Sequence, residues 1–277
     1  MNKKNKVLLS AVGLVLLSGI AATSSTFAWF TTVRTASINY TEATVTSASG
    51  NLVVAYKSSQ NTVTGNTVDN VTTITGANSI TDISGDGKTF YKPVWAVPTT
   101  TASVINTVST ADGFYVDFTV TVSRDNTLAQ NGFKVYLGAG TEIVGKTDSA
   151  NQTLNDSVVP ATRLAVLGSD GEVVLRWAPV AETSPEYLVA GTGAYGTTTH
   201  QVQADSALKT GAITTETTTA AADAAGYLVA ELASGTLAST DLTFRIWIEG
   251  EDAQTVNAII GGVFNVNIAL YALEVVA

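Results

Sequence analysis

Hydrophobic and polar residues alternate with a period of two along most of this chain, which is the pattern of β-strands buried on one face. The clearest stretch is residues 113–122, and the same alternation returns over residues 242–249 and 263–276. Residues 163–177 predict a hairpin whose turn is Gly168-Ser-Asp-Gly171. The pattern predicts an all-β fold, a two-sheet antiparallel sandwich of the jelly-roll or Greek-key type.

Two stretches depart from this alternation. Residues 252–260 predict one short helix, with Asp252 as its N-cap and Gly261-Gly262 as its stop. Residues 191–226 are rich in Thr and Ala and contain few large apolar side chains, so we expect them to form a surface excursion. Neither stretch indicates a domain boundary, and residues 29–277 are predicted to form a single domain.

Residues 1–28 have the organisation of a secretory signal peptide. A short basic start precedes an apolar run over residues 7–20, which is too short for a comfortable bilayer span. We therefore expect export, with the membrane and a signal peptidase as partners only during secretion. The residues that define the predicted cleavage point are Thr26, Ala28 and Trp29.

Composition narrows the function classes that remain. Removal of the predicted signal peptide leaves 11 basic and 23 acidic residues, a net charge of about −12, so nucleic acid is a poor partner. The chain has no Cys and a single His, His200, which removes thiolate chemistry and most imidazole chemistry. No motif requires a cofactor.

The predicted cleavage junction carries a resemblance to a known family. Ser25-Thr-Phe-Ala-Trp-Phe30 places a small residue, Thr, an aromatic residue and Ala before two aromatic residues. It resembles the junction of the TasA and camelysin family of secreted bacterial biofilm-matrix fibre proteins, which a SipW-type signal peptidase processes. The resemblance implies a jelly-roll-like sandwich located in the extracellular matrix or at the cell surface, with a mature N-terminal segment able to act as a strand.

Residues 29–45, which would begin the mature protein, have the composition of a strand. They contain no Pro, and only Arg34 and Glu42 are charged. Such a strand can pair with its own sheet, or with the exposed edge of the next subunit. The second option, repeated head to tail, produces a fibre. The candidate assembly residues are Trp29, Phe30, Val33, Ile38, Tyr40 and Val45.

The acidic group Glu249, Glu251 and Asp252 is the candidate metal site. Carboxylates are the ligands that Ca²⁺ prefers, so calcium is the candidate cofactor, although no calcium-loop spacing is present. The alternative is structural. Asp252 is also the predicted helix cap, and alternation with Ile248 places Glu249 on the solvent face.

A monomeric adhesin or carbohydrate-binding sandwich is the alternative function. Aromatic side chains form stacking platforms at many recognition faces. Alternation places Trp177 on a core face and Trp247 on the polar face beside Arg245. Trp247 is therefore the candidate ligand-binding residue, unless it packs under a loop or against a neighbouring subunit.

Catalysis is the third class, because the camelysin branch is described as metallopeptidase-like. The chain contains no His-Glu-x-x-His, and His200 has no Gly-x-Ser-x-Gly elbow near it. A carboxylate pair for glycoside hydrolysis stays open, because such pairs meet only in the fold. We expect a non-enzymatic structural protein that polymerises with copies of itself into extracellular fibres by donating its N-terminal strand.

Overall fold

A computed structural model describes ten stretches of the chain. They are residues 38–47, 52–59, 64–69, 71–95, 102–109, 112–124, 131–191, 200–234, 238–255 and 257–275. The predicted signal peptide, residues 1–28, and the predicted site residues Thr26, Ala28, Trp29, Phe30 and Val33 lie outside the described residues.

The described residues are dominated by strands, as the alternation predicted. In chain order these are β1 Ile38–Ser47, β2 Leu52–Ser59, β3 Thr64–Val68, β4 Val71–Ile80, β5 Asp82–Gly85, β6 Phe90–Trp95, β7 Ala102–Val108, β8 Val116–Arg124, β9 Gly132–Leu137, β10 Glu142–Gly145, β11 Thr162–Leu167, β12 Val173–Ala178, β13 Glu186–Ala190, β14 His200–Ala204, β15 Leu208–Thr210, β16 Leu228–Leu232, β17 Ser239–Glu249 and β18 Val263–Val275. Two α-helices of two turns each accompany them, α1 Gln152–Val158 and α2 Thr219–Ala225.

Two sheets form the sandwich. The first has the order β16, β9, β18, β1, β4, β3, with β10 also paired to β18. In the second, β15, β12, β11 and β17 run side by side, and β17 continues to β8 and β2 along most of its length and to β5, β6 and β7 at its end. Most pairs are antiparallel, whereas β1 with β18, β12 with β15 and β17 with β5 are parallel. The predicted hairpin is confirmed as β11 and β12.

The main core lies between the two sheets and is built from the apolar positions that the alternation predicted. Val116, Phe118 and Val120 of β8 are fully buried there with Phe264 and Val266 of β18. Trp177 is buried in the same core, which confirms its predicted core position. Period-two alternation identifies the core residues of these strands correctly, because only one face of each strand enters this core.

A second apolar cluster covers part of the outer face of the second sheet. Trp247 of β17 is 1% exposed there and packs edge-on against Phe90 of β6, with ring centroids 5.1 Å apart. The predicted exposure of Trp247 on a polar face is therefore wrong. The reason is that Phe90 and Val108, from β6 and β7, fold over the end of β17, so this strand is buried on both faces.

The predicted helix over residues 252–260 is present only as one 3-10 turn, Asn257–Ile259, which ends before Gly261 at φ +87°. The Asp252 carboxylate accepts from the backbone N–H of Gln254, as an N-cap does, and pairs with Arg163, but the described residues 253–255 that follow form a turn and not a helix. Within the Thr/Ala-rich residues 191–226, the described part forms β14, β15 and α2 and contributes the buried side chain of Ile213 to the main core.

Candidate functional site

The N-terminal strand β1 occupies an interior position of the first sheet. It pairs in parallel with β18 from Asn39 to Ser47, and antiparallel with β4 from Ile38 to Thr46. A strand in this position satisfies backbone donors and acceptors of both neighbours at once. We call the space between β4 and β18 the strand slot. Without β1, the slot would present two open strand edges.

The register places the apolar residues of β1 beside buried wall residues. Ile38 lies opposite Ile80, and Tyr40 lies opposite Phe264. The pairing is a statement of backbone register, and the wall residues of these rows are buried in the core. The remaining pairs in core rows are Ala43 with Ile74 and Val266, and Val45 with Ile268; all of these wall residues are buried.

Both walls of the slot have support that does not involve β1. β18 is held on its far side by β9 and β10. β4 forms a hairpin with β3, and β3 is tied to the opposite sheet, because the Tyr56 backbone N–H donates to Oγ1 of Thr67 at 2.8 Å. The Tyr56 ring packs directly on Gly65, where a Cβ would lie 2.1 Å from the ring. The slot can therefore keep its walls when its strand comes from elsewhere.

The strand is connected to the rest of the domain by a short segment of small and polar residues. β1 ends at Ser47, and the next strand, β2, begins at Leu52 in the other sheet, where it pairs with β8. The connecting sequence is Ala48-Ser-Gly-Asn51. One short tether on β1 is the arrangement that exchange of an identical element between copies requires.

The three predicted metal ligands are all buried. Glu249 is 2% exposed, so its predicted place on the solvent face is wrong, for the reason already given for Trp247. Its Oε2 accepts the indole N–H of Trp247 at 3.0 Å, and its Oε1 accepts the backbone N–H of Glu251 at 3.2 Å. Burial raises the pKa of Glu249 to about 7, although Ser84, Trp247 and Arg163 favour its charged form.

Asp252 belongs to a buried cluster around Arg163 at the start of β11. The Arg163 guanidinium donates to the carboxylate of Asp252 and to the carbonyl oxygens of Pro160 and Thr162. Its Nη2 also lies 2.6 Å from Oε1 of Glu182, an ion pair without a directed hydrogen bond. This cluster fastens the turn after β17 and the loop after β12 to one side chain.

Glu182 is the acid in this cluster whose titration is most altered. Desolvation, helped by the neighbouring Asp252 carboxylate, raises its pKa to about 7 against the opposing effect of Arg163. One largely buried guanidinium therefore faces two carboxylates, of which Asp252 is 3% and Glu182 18% exposed, so the charge balance of the cluster changes when Glu182 gains or loses a proton. Such a cluster stabilises a fold and responds to pH.

Calcium binding by Glu249, Glu251 and Asp252 stays a prediction. Within the part of the chain that the structure describes, no three acidic or imidazole side chains are placed to share a metal ion. The buried carboxylate of Glu249 accepts from Trp247 and from the backbone N–H of Glu251, and the buried carboxylate of Asp252 accepts from Arg163.

His200, the lone imidazole, lies at the start of β14. Its ring packs edge-on against Tyr91 with centroids 4.7 Å apart, and burial lowers its pKa. The pair lies beside a small cluster that joins Tyr91 to Leu188 of β13. Its described environment is that of a packing residue at the junction between β6 and the two-stranded sheet of β13 and β14.

Sequence reasoning missed the slot walls and the Arg163 cluster. The walls, β4 and β18, were recognisable as strands, but strand pairing over long separations leaves no local signal. For the apolar cluster around Trp247 the sequence did contain a signal, because Ile246-Trp-Ile248 places large apolar residues on both faces of one strand. That feature indicates a strand covered on both sides.

No protein-family model and no curated protein sequence matches this chain. No helix in the described ranges is long and apolar enough to cross a bilayer.

Proposed function

We propose that this protein is a secreted structural subunit that polymerises into extracellular fibres by exchanging β1 between copies. The observation that carries the proposal is the interior position of β1, with both edges paired and only four residues between its end at Ser47 and the start of β2 at Leu52. In a fibre, the same strand would occupy the slot of the next copy. The resemblance of the Ser25–Phe30 junction to that of TasA-like proteins supports the same reading.

Strand exchange adds no new type of contact. Every backbone hydrogen bond and apolar row that β1 makes in its own domain would be made again in the neighbour. The free energy that stabilises one junction then equals the free energy with which the slot binds its own strand. Because each copy gives one strand and receives one strand through different surfaces, the contact is heterologous and propagates.

Export would precede assembly in this proposal. A signal peptidase would cut after Ala28 and leave Trp29 at the new N-terminus, so that residues 29–37 extend β1 at its free end. No catalytic step and no cofactor enters the proposed function.

A matched pair of cysteines tests the proposal directly, because the chain has no Cys of its own. Thr44 of β1 lies opposite Thr73 of β4. Opposed residues in antiparallel strands have Cα separations within the range that a disulfide needs. The variant Thr44→Cys with Thr73→Cys, starting at Trp29, would be oxidised and run on a non-reducing gel.

A ladder of covalent oligomers would support strand exchange. An intramolecular disulfide in every chain of a sample that shows fibres by electron microscopy would contradict it. The control combines Thr44→Cys with Val174→Cys, since Val174 is 45% exposed on β12 of the other sheet and should give no ladder. Protein lacking residues 29–47 should give no fibres under the same conditions.

The alternative is a monomeric surface adhesin, and one observation favours it. β1 pairs within its own domain in this structure, and a domain completed in this way needs no second copy. Intramolecular disulfides together with particles in place of fibres would support this reading. Ligand binding through Trp247 is no longer part of it, because Trp247 is buried.

A further inference from the structure

The N-terminal strand is irregular at one residue. From Tyr40 to Glu42, β1 advances by two residues while β18 advances by one, from Phe264 to Asn265. Thr41 is therefore an extra residue relative to β18, which is the definition of a β-bulge. Bulges bend a strand locally and interrupt the regular ladder.

The strand on the other side of the slot is irregular at the same level. Over the step from Tyr40 to Glu42, β4 advances by three residues, from Asn78 to Thr75. The same step thus spans one residue on β18, two on β1 and three on β4. The irregular row is a property of the slot, because its two walls differ in length there whichever strand lies between them.

The bulge also changes the phase of the apolar residues in β1. In a regular strand, residues separated by an even number share a face, so Ile38 and Tyr40 would face opposite to Ala43 and Val45. The extra residue between the two pairs brings all four into rows with buried wall residues.

We propose that the bulge at Thr41 is a register key that allows an N-terminal strand to fit between β4 and β18 at a single alignment. When a regular strand slides by two residues, every side chain stays on the same face of the sheet. The inside–outside pattern alone therefore specifies the register only weakly against such a slip. This strand, sliding by two across the irregular row, would bring Glu42 beside Phe264 or Tyr40 beside Asn265. The first alignment sets a charged residue opposite a buried apolar one, and the second sets an aromatic residue opposite an amide, so both pairings are less favourable than the native ones.

The key matters most for a strand that comes from another copy. A strand joined to its own domain by a short tether is aligned partly by that tether, whereas a donated strand is aligned only by the slot. As a statement about donated strands the inference rests on the proposed function, but the register rule applies equally to a strand that stays in its own subunit. The occupant that fits the slot is the N-terminal segment of a second copy, because that segment also advances by two residues between the rows of Tyr40 and Glu42.

Two cysteine pairs report the register in either state. Thr44→Cys with Thr73→Cys reports the native alignment. Thr46→Cys with Thr73→Cys reports a slip of two residues, because Thr46 lies opposite Val71 in the native register and is diagonal to Thr73. Diagonal neighbours are too far apart for an unstrained disulfide. Each pair is placed in the parent chain, in a chain with Thr41 deleted, and in Thr41→Ala, which keeps the residue count.

We expect the parent and Thr41→Ala chains to crosslink through the native pair, and the slipped pair to react at least about tenfold more in the Thr41 deletion than in the parent. Deletion of Ser37 is a length control that precedes β1, and it should behave as the parent. A deletion of Thr41 that still reacts only through the native pair would overturn the proposal. So would a parent chain in which both pairs react equally.

The result does not depend on whether fibres form. Crosslinks within one chain report the register of a retained strand, and crosslinks between chains report that of a donated one. Failure of the proposed function therefore appears as intramolecular products only, and failure of the register key appears as equal reactivity of the two pairs.

Discussion

Trp247 donates its indole N–H to Oε2 of Glu249, 3.0 Å away and two residues further along β17. The two side chains alternate onto the same face of β17, and both are buried, Trp247 in the apolar cluster that contains Phe90. An aromatic residue and an acid that alternation assigned to solvent are thus one buried unit. The stability of the fold should therefore depend on this buried region and on the Arg163 cluster, and also on the contact of Tyr56 with Gly65 of β3.

Replacement of Trp247 should destabilise the fold without affecting any surface property. We expect Trp247→Ala to lower the free energy of unfolding by about 3–5 kcal/mol, because it leaves a large cavity beside Phe90. Trp247→Phe should cost less, since an apolar ring remains and only the donor to Glu249 is lost. Urea denaturation measures both variants. Val174→Ala, at an exposed position of β12, is the control, and an unchanged midpoint for Trp247→Ala would contradict the buried position.

Removal of the Arg163 guanidinium should leave two buried carboxylates without their cation. We expect Arg163→Met to cost about 3–5 kcal/mol of unfolding free energy. Adding Glu182→Gln and Asp252→Asn to Arg163→Met should recover much of that loss, because the uncompensated charges are then removed. The exposed pair of Lys57 and Asp241 provides the comparison.

Lys57 is 53% exposed in its pair with Asp241, so Lys57→Met should cost no more than about 1 kcal/mol. Equal losses for Lys57→Met and Arg163→Met in urea denaturation would show that the Arg163 cluster is not a buried, charge-balanced unit.

Stability should fall as the pH rises from about 4.5 to about 7. Burial raises the pKa of Glu182 and of Glu249 to about 7, above the 4.5 of an unperturbed Glu. In this window the unfolded chain has already lost protons that the folded chain still holds, so a rise in pH favours unfolding. His200 acts in the opposite direction, because burial lowers its pKa and folding then favours the neutral imidazole.

Single substitutions separate the contributions of Glu182 and His200 to this pH dependence. Glu182→Gln should flatten part of the decline between pH 4.5 and 7, an effect on the order of 1–3 kcal/mol, while His200→Phe should make the decline steeper. Thermal unfolding at several pH values measures each curve. A parent protein whose stability rises steadily across this window would contradict the assignment to Glu182 and Glu249.

Gly65 of β3, the strand that supports the slot wall β4, should not tolerate a side chain. A Cβ at this position would lie 2.1 Å from Cδ2 of Tyr56, so Gly65→Ala forces the ring away from β3. We expect a loss of about 1–3 kcal/mol and weaker hydrogen-exchange protection of the β3–β4 hairpin. Tyr56→Ala with Gly65→Ala should cost less than the sum of the single changes, because the clash is then absent. Strictly additive losses would show that the ring does not rest on Gly65.

Alternation by itself indicated an all-β fold and the long strands that build the central core, whereas the short strands β13 to β16 lie where no strand was predicted. The hairpin of β11 and β12, the last strand β18 and the buried Trp177 follow from alternation, because a pleated strand turns successive side chains to opposite faces. That rule is local, so the sequence alone carries it. The N-terminal signal is local in the same sense.

Only the tertiary structure decided what covers the second face of a strand and which strands become neighbours. β6 and β7 fold over the end of β17, which turns a polar position at Glu249 into a buried one and raises its pKa. β18 and β4 lie on either side of β1, and both pair with it in a register that is irregular between Tyr40 and Glu42. Both outcomes depend on contacts between residues far apart in the chain, and a period-two pattern contains no information about the partner that each face will meet.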